Sequence, residues 1–200
     1  WHSLQTTSIE FESELANFGN AKHAISCANG TDALHIALLS WGIGPGDAVF
    51  CPSFTYCATA ESIVNVGATP IFIDIDRATY NIDSTSLINA INEVKTAGEL
   101  IPRAIIAVDL FGQSADYIAL SEIAKTEKLK LLADSAQGFG TTLNGNHPIY
   151  WADATTTSFF PAKPLGCYGD GGAILTNDNK MAEVLKSLRV HGKGTDKYDN

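Results

Sequence analysis

The sequence predicts a single α/β domain with a mostly parallel central sheet and helices on both faces. Short β-rich runs alternate with helical patterns along most of the chain, an order typical of parallel sheets. The runs "IIAVDL" (105–110) and "LKLLAD" (129–134) are nearly continuous in apolar residues, as strands buried on both faces should be. Because such sheets bind ligands at the carboxyl ends of their strands, we expect the chemistry of the protein to lie there.

The elements follow one another without a repeat or a low-complexity linker. The first helix is predicted to end at Gly19, because apolar residues recur at helical spacing just before it. A second helix is predicted over residues 31–41, and the glycines and proline of "GIGPGD" end it. The remaining predictions are strands at 48–51, 69–75, 103–112, 130–134, 154–160 and 171–176, and helices at 56–66, 84–94, 115–127 and 178–190. One domain is therefore expected over residues 1–200.

Composition narrows the possible partners. The chain has 200 residues, with 13 Lys and Arg against 22 Asp and Glu, so the formal net charge is −9. With no basic run either, nucleic acid is a poor partner. No apolar run reaches the roughly 18 residues of a membrane span, and the opening residues lack the plan of a signal peptide. We therefore expect a cytoplasmic protein without a membrane partner.

Four cysteines, Cys27, Cys51, Cys57 and Cys167, lie far apart or in apolar surroundings. They form no CxxC pair and have no neighbouring set of histidines. Neither a disulfide framework nor a metal site is indicated, and buried free thiols are expected.

The stretch "CANGTDALHIALL" (27–39) is a candidate anion site. A short apolar lead-in meets Asn29, Gly30 and Thr31 and then a helical pattern. Free backbone N–H groups at such a helix start suit a phosphate. An ordinary helix cap explains the same residues, because Asn, Thr and Asp are all good caps. The chain has no GxxxxGK[ST] loop, and no GxGxxG follows its first strand, which argues against a nucleotide cofactor of the Rossmann type.

Three further residues stand at positions suited to chemistry. Asp134 ends a buried strand, where an ionised carboxylate needs a cation or strong donors, although capping of the next turn is an alternative. Tyr56 follows a strand and could pack in the core or stack on a flat ligand. Lys163 lies in the bent, apolar run "SFFPAKPLG" (158–166). A desolvated lysine is a nucleophile toward carbonyls.

These features together describe a site for pyridoxal 5′-phosphate (PLP). The cofactor needs a Schiff-base lysine, an acidic partner for its ring nitrogen and anchors for its phosphate and ring. A phosphate cradle, a strand-end aspartate, an aromatic platform and a desolvated lysine match those needs. The combination is far more specific than any one of its members.

Four motifs at compatible spacing, "NGTDAL", "PSFTYCATA", "DSAQGFG" and "SFFPAKPLGCYGDGGAI", resemble the DegT/DnrJ/EryC1/StrS sugar aminotransferase family, of PLP fold type I. The resemblance runs from about residue 10 to the end of the chain. It implies the PLP-dependent transferase fold type I large domain. The family's chains continue into a small C-terminal domain, so residues 1–200 are expected to be the large domain without its N-terminal start and without that C-terminal domain.

The resemblance also assigns roles to residues. It implies that Lys163 forms the Schiff base and moves the proton, and that Asp134 pairs with the protonated ring nitrogen. Gln137 would bond the side of the cofactor's phenolic oxygen, and Tyr56 would stack on the ring. The implied phosphate ligands are Ser158, Gly30 and Thr31.

Two positions depart from the family's pattern. Asn29 replaces the commoner Ser before Gly-Thr, and Ser135 replaces Ala in Asp-Ala-Ala-Gln. Neither change removes a functional group. Relatives that dehydrate or deoxygenate sugars carry His in place of the lysine, so Lys163 argues against that branch.

The resemblance implies an aminotransferase that moves an amino group from an amino acid, expected to be L-glutamate, to a nucleotide-linked keto sugar. The long lysine motif is most similar to that of enzymes acting on UDP-2-acetamido-3-keto-glucuronate. Relatives form homodimers with active sites at the interface, so a homodimer is expected. A PLP-dependent sugar dehydratase or lyase and a non-catalytic regulatory homologue remain as alternatives.

Overall fold

A computed structural model describes residues 2–193 of the chain, with side chains from residue 7 onward. Its strands are β1 (His23–Cys27), β2 (Asp47–Pro52), β3 (Thr69–Ile73), β4 (Ile101–Val108), β5 (Lys130–Asp134), β6 (Ala154–Ser158) and β7 (Gly172–Thr176). Its helices are α1 (His2–Gly19), α2 (Gly30–Ser40), α3 (Ala58–Asn65), α4 (Ser84–Ala97), α5 (Tyr117–Glu127) and α6 (Asn179–Leu188).

The strands form one seven-stranded sheet in the order β1-β7-β6-β5-β4-β2-β3. The pairs within β3-β2-β4-β5-β6 are parallel, whereas β7 runs antiparallel to both of its neighbours. The predicted α/β class with a mostly parallel sheet is confirmed. β1 was missing from the prediction, and it pairs with β7, a strand about 150 residues later in the chain.

Helices cover both faces of the sheet, as predicted. On one face α2, α3 and α6 pack on inward residues such as Val49, Ile106 and Leu132. On the other face α4 and α5 pack on the alternate positions, such as Ile105 and Leu131. α1 covers β1 and β7 on this second face. This alternation follows from the two-residue period of a strand, which sends successive side chains to opposite sides.

Asparagine and aspartate side chains fix the starts of four helices. Asn29, Asp83, Asp116 and Asp178 each accept a hydrogen bond from a backbone N–H in the first turn of the following helix. Each cap satisfies an amide that has no partner inside the helix. The local sequence therefore specifies where these four helices begin.

The opening helix differs from its prediction in one respect. Leu15 and Ala16 are buried, but Ile9 and Phe18 are 66% and 63% exposed. The apolar spacing predicted the helix correctly, although only part of its apolar side packs against the described chain. Among residues 2–193, none of the helices combines the length and the hydrophobicity that a membrane crossing needs.

The cysteines also differ in part from expectation. All four are free thiols, and Cys51 is buried. Cys57 and Cys167 are exposed, so the expectation of burial is wrong for them. Both cysteines lie in connections at the carboxyl edge of the sheet, and these connections are open to solvent.

Candidate active site

A cleft of about 640 Å³ opens at the carboxyl edge of the sheet, a size typical of small-molecule sites. The connections that follow β1, β2, β5 and β6 meet around it. All seven residues that the sequence singled out lie along its wall: Gly30, Thr31, Tyr56, Asp134, Gln137, Ser158 and Lys163. They come from four separate segments, and the parallel strands bring those segments to one edge.

The start of α2 forms one wall of the cleft. Asn29 is the cap: its Oδ1 accepts the Asp32 N–H at 2.8 Å. The amides of Gly30 and Thr31 precede the first bond of the helix, and neither has an acceptor within the described chain. The capping interpretation of this stretch is therefore confirmed, and the phosphate site stays a prediction. The cap leaves two free donors beside the cleft, where the helix dipole favours an anion.

Ser158 ends β6 directly beside this helix start. A Cβ at Gly30 would lie 2.7 Å from the Ser158 Cβ, closer than real Cβ contacts allow. Only glycine thus admits the serine at this distance. The Ser158 Oγ accepts the Phe160 N–H at 3.3 Å, which leaves its own proton free to donate to a ligand.

Asp134 lies at the base of the cleft and is 5% exposed. Its Oδ1 accepts the Ala136 N–H at 3.1 Å, and its Oδ2 accepts the Thr59 hydroxyl at 3.2 Å. Burial raises the pKa of Asp134, and these two donors and the charge of Lys163 partly oppose the rise. A cationic partner within the cleft would stabilise the ionised form of a carboxylate held in this way.

Lys163 and Tyr56 both line the cleft, and the Lys163 Nζ lies 5.8 Å from the centroid of the Tyr56 ring. Lys163 sits in a turn closed by its own N–H and the Phe160 carbonyl. The lysine is half-buried and residues 164–170 around it are exposed, so the described chain desolvates Lys163 only in part. Its surrounding loop extends from the sheet edge, where nothing in residues 2–193 covers it.

Gln137 is half-buried in the wall of the cleft. Its Oε1 accepts the Phe111 N–H at 2.9 Å, so the side-chain NH₂ group is the part left for a ligand. Phe111 holds a left-handed backbone conformation, with φ 57°. The bond therefore joins the connections after β4 and β5 at the rim of the cleft.

Two buried residues behind the cleft were missed by the sequence reasoning, although neither of them lines it. Thr59 bonds Asp134 directly, and it lies three residues after Tyr56. Asp109 follows β4 and is fully buried. A signal for Asp109 existed: "IIAVD" ends an apolar strand with an aspartate, as "KLLAD" does for Asp134.

A second cavity, of about 430 Å³, lies between the end of α1 and residues 140–150. His147 lines it, buried between Phe18 and Phe139. Neither ring nitrogen of His147 has a partner within the described residues. Burial lowers the pKa of His147 to about 4. This histidine, whose place the sequence did not predict, belongs to a different part of the molecule from the cleft.

Comparisons with known proteins agree with the resemblance. The model of the DegT/DnrJ/EryC1/StrS aminotransferase family matches residues 1–200. A UDP-2-acetamido-2-deoxy-3-oxo-D-glucuronate aminotransferase of Pseudomonas aeruginosa is 47% identical over 186 residues, which are 92% of this chain and 49% of that protein. A protein of Geobacillus stearothermophilus named pleiotropic regulatory protein is 48% identical over 183 residues, 92% of this chain and 47% of its own.

The fold is likewise similar to that of a solved member. The crystal structure of a DegT DnrJ EryC1 StrS aminotransferase from Brucella abortus matches with a TM-score of 0.94 and 48% identity, over 96% of this chain and 52% of that one. The chain thus spans about half the length of the relatives it matches.

Proposed function

Because the chain belongs to the DegT/DnrJ/EryC1/StrS aminotransferase family, we propose that its protein is a PLP-dependent sugar aminotransferase. It moves an amino group from an amino acid, expected to be L-glutamate, to a nucleotide-linked keto sugar. The amino acid becomes a 2-oxo acid and the keto sugar becomes an amino sugar. The observation that carries this proposal is that Lys163, Asp134 and five predicted anchor residues line one cleft.

The cleft suits PLP, on which aminotransferases of this family depend. Free amides and a hydroxyl at the start of α2 suit a phosphate, and the absence of a Cβ at Gly30 lets Ser158 lie directly beside them. A buried carboxylate, Asp134, is placed to pair with a protonated ring nitrogen. Lys163 supplies an amine within the same cleft. Donors, acid and amine match the three parts of the cofactor that need them.

When bound, PLP withdraws electrons from the carbon that carries the amino group. Lys163 would hold the cofactor through its amine, and the same amine would carry the proton that moves between carbon atoms. Asp134 would keep the ring nitrogen protonated, and the Thr59 hydroxyl and the Ala136 N–H keep its carboxylate oriented. Gly30, Thr31 and Ser158 would bind the phosphate, Tyr56 would contact the ring, and Gln137 would donate to the phenolic oxygen side.

The substrate belongs to the same proposal. The Pseudomonas aeruginosa relative, 47% identical, is named for a UDP-linked 3-oxo sugar acid. This name supports a nucleotide-linked 3-keto sugar as the acceptor, in the synthesis of amino sugars or surface polysaccharides. Residues 1–200 form the cofactor-binding large domain of a cytoplasmic homodimer in this proposal.

Two other functions are distinguished by their products. A sugar dehydratase or lyase would convert the sugar without consuming the amino acid. A regulatory role is favoured by one observation, the 48% identity with the pleiotropic regulatory protein. A purely regulatory homologue would need neither the lysine nor the aspartate of the cleft, and this chain retains both.

The test is a screen of amino donors and nucleotide-linked keto sugars with the full-length protein. The measured quantity is the 2-oxoglutarate released. We expect one 2-oxoglutarate per amino sugar formed with the wild-type protein and none with Lys163→Ala. Lys130→Ala is the matched control, because Lys130 pairs with Asp153 on the surface, outside the cleft. Transamination by Lys163→Ala at the wild-type rate would contradict the proposal.

A further inference from the structure

A second buried carboxylate lies behind Asp134. Asp109 follows β4 in the way that Asp134 ends the neighbouring strand β5, and the Asp109 N–H donates to the Asp134 carbonyl at 3.0 Å. The side chain of Asp109 is fully buried. Unlike Asp134, it does not line the cleft, so the proposed function gives it no contact with a ligand.

Three donors hold the Asp109 carboxylate. Its Oδ1 accepts the Tyr117 hydroxyl at 2.8 Å and the Ala115 N–H at 3.1 Å. Its Oδ2 accepts the Ser135 hydroxyl at 2.6 Å. No cation pairs with it among residues 2–193. Donors of this number, without a cation, are typical of a site that keeps a buried carboxylate ionised and in place.

Ser135 links this carboxylate to the cleft, since it directly follows Asp134 in the chain. The motif of the family has Ala at this position, and an alanine could not donate to Asp109. Gly138, three residues after Ser135, packs directly against Asp109. A Cβ at position 138 would lie 2.5 Å from the Asp109 Cβ, so this close packing requires glycine. The segment that carries Asp134 and Gln137 is therefore packed and bonded onto Asp109.

We propose that Asp109 is a positioning residue for Asp134: through Ser135 it fixes the strand end, and its negative charge strengthens the hold of Asp134 on the proton of the cofactor's ring nitrogen. This inference rests on the proposed function, which pairs Asp134 with that nitrogen. It gives a reason for the serine in "DSAQ", which the resemblance left as a mere departure.

The charges around Asp109 agree with this role. Burial raises the pKa of Asp109 to about 6, the three donors oppose the rise, and the charge of Asp134 adds to it. The titratable groups that act on Asp109 are Tyr117 from α5 and Asp134 from β5, and Lys163 acts on Asp134. When Asp109 is ionised, its charge and that of Asp134 together bind a nearby proton more tightly than one charge alone.

Asp109→Asn separates this role from a merely structural one. The asparagine Oδ1 can keep the bonds from Tyr117 and Ala115, and the Ser135 hydroxyl can turn to accept from the new NH₂ group. The geometry is retained while the charge is lost. Asp116→Asn is the matched control, because it makes the same change of charge seven residues away and Asn caps helix α5 as well as Asp does.

The experiment follows the absorbance of PLP bound to the full-length protein as a function of pH. For Asp109→Asn we expect the titration midpoint to fall by at least about 0.5 pH unit, since a negative charge that favours the protonated form is gone. Ser135→Ala should shift it in the same direction by less, and Asp116→Asn should leave it unchanged. An Asp109→Asn midpoint equal to that of Asp116→Asn would overturn the inference.

A second variant protects the test against misfolding of Asp109→Asn. Ser135→Ala combined with Tyr117→Phe removes two of the three donors, which favours the neutral form of Asp109, so the midpoint should again fall. An unchanged midpoint there would overturn the inference as well. A wild-type protein that binds no PLP would overturn the proposed function itself, and this inference with it, which is a different result from binding with unshifted variants.

Discussion

At the scale of single residues, Asp134 and Lys163 show which features of a site can be read from sequence. Asp134 ends an apolar strand, and its burial follows from its immediate neighbours in the sheet. Lys163 lies in a loop, and the burial of a loop residue depends on whatever else packs over it. The sequence therefore predicted the position of both residues but the environment of Asp134 alone.

Asp134→Asn is expected to fold and to lose most of its activity. An amide cannot hold the proton of a ring nitrogen as a carboxylate does, so we predict a fall in kcat on the order of 100-fold or more. Steady-state kinetics, with circular dichroism for the fold, provide the measurement. Turnover equal to wild type in a folded variant would be incompatible with the role of Asp134.

Gly30→Ala is expected to weaken cofactor binding. Its new Cβ must displace Ser158 or the start of α2, and overpacking of this kind costs about 1–3 kcal/mol, or roughly a tenfold change in Kd or more. Fluorescence titration with PLP measures the effect. The control is Gly44→Ala, whose Cβ meets its nearest atom at an ordinary 3.6 Å. Equal affinities of the two variants for PLP would contradict the proposed phosphate-binding role of Gly30 and Ser158.

At the scale of elements, local patterns predicted most helices and strands, and β1 is the instructive failure. "HAISC" is short and contains the polar residues His23 and Ser26, so it has no continuous apolar run. Its strand conformation comes from pairing with β7, far along the chain. The antiparallel direction of β7 was not predicted for the same reason. The sequence of a strand does not specify which strand it will pair with.

The N-terminal caps are the most local sequence signals that determine where the helices begin. Asp83 Oδ1 accepts the Ser86 N–H at 2.7 Å at the start of α4. Asp83→Ala is expected to lower the free energy of unfolding by about 1 kcal/mol, whereas Asp83→Asn should retain most of it because asparagine also caps. Chemical denaturation of the three proteins tests this. An alanine variant as stable as the asparagine variant would show that the cap is not used.

At the scale of the whole molecule, the site is assembled from segments that no single motif contains. Parallel topology brings Gly30, Tyr56, Asp134 and Lys163 to one edge of the sheet. Strand ends predicted this for Tyr56 and Asp134, whereas Gly30 was identified only as part of a helix start because β1 was missed. The network of Asp109, Tyr117 and Ser135 joins three segments through side-chain bonds. Such bonds depend on angles and distances between elements, which local sequence patterns do not specify.

Stability against pH should show two opposed contributions. His147 has a lowered pKa of about 4 in the fold, against 6.5 for the free side chain. The unfolded chain therefore binds the extra proton in this window, and His147 makes stability fall as the pH falls. Asp109 has a raised pKa of about 6 against 3.8. The folded chain binds that proton, so Asp109 makes stability rise as the pH falls through its window.

We predict that His147→Phe, which keeps a ring between Phe18 and Phe139, loses stability less steeply than wild type between pH 6.5 and 4. Asp109→Asn should lose stability more steeply between pH 6 and 4. Urea denaturation at several pH values measures both slopes. Slopes that coincide with wild type in both variants would contradict the burial of these two groups.

The central claim, that Lys163 is the residue that holds the cofactor, has one direct test. The full-length protein is incubated with PLP, reduced with borohydride and digested, and mass spectrometry then locates the modified lysine. The account predicts that the adduct lies on the peptide containing Lys163 and disappears in Lys163→Ala, while Lys130→Ala retains it. Stoichiometric modification of another lysine, or none at all, would contradict it.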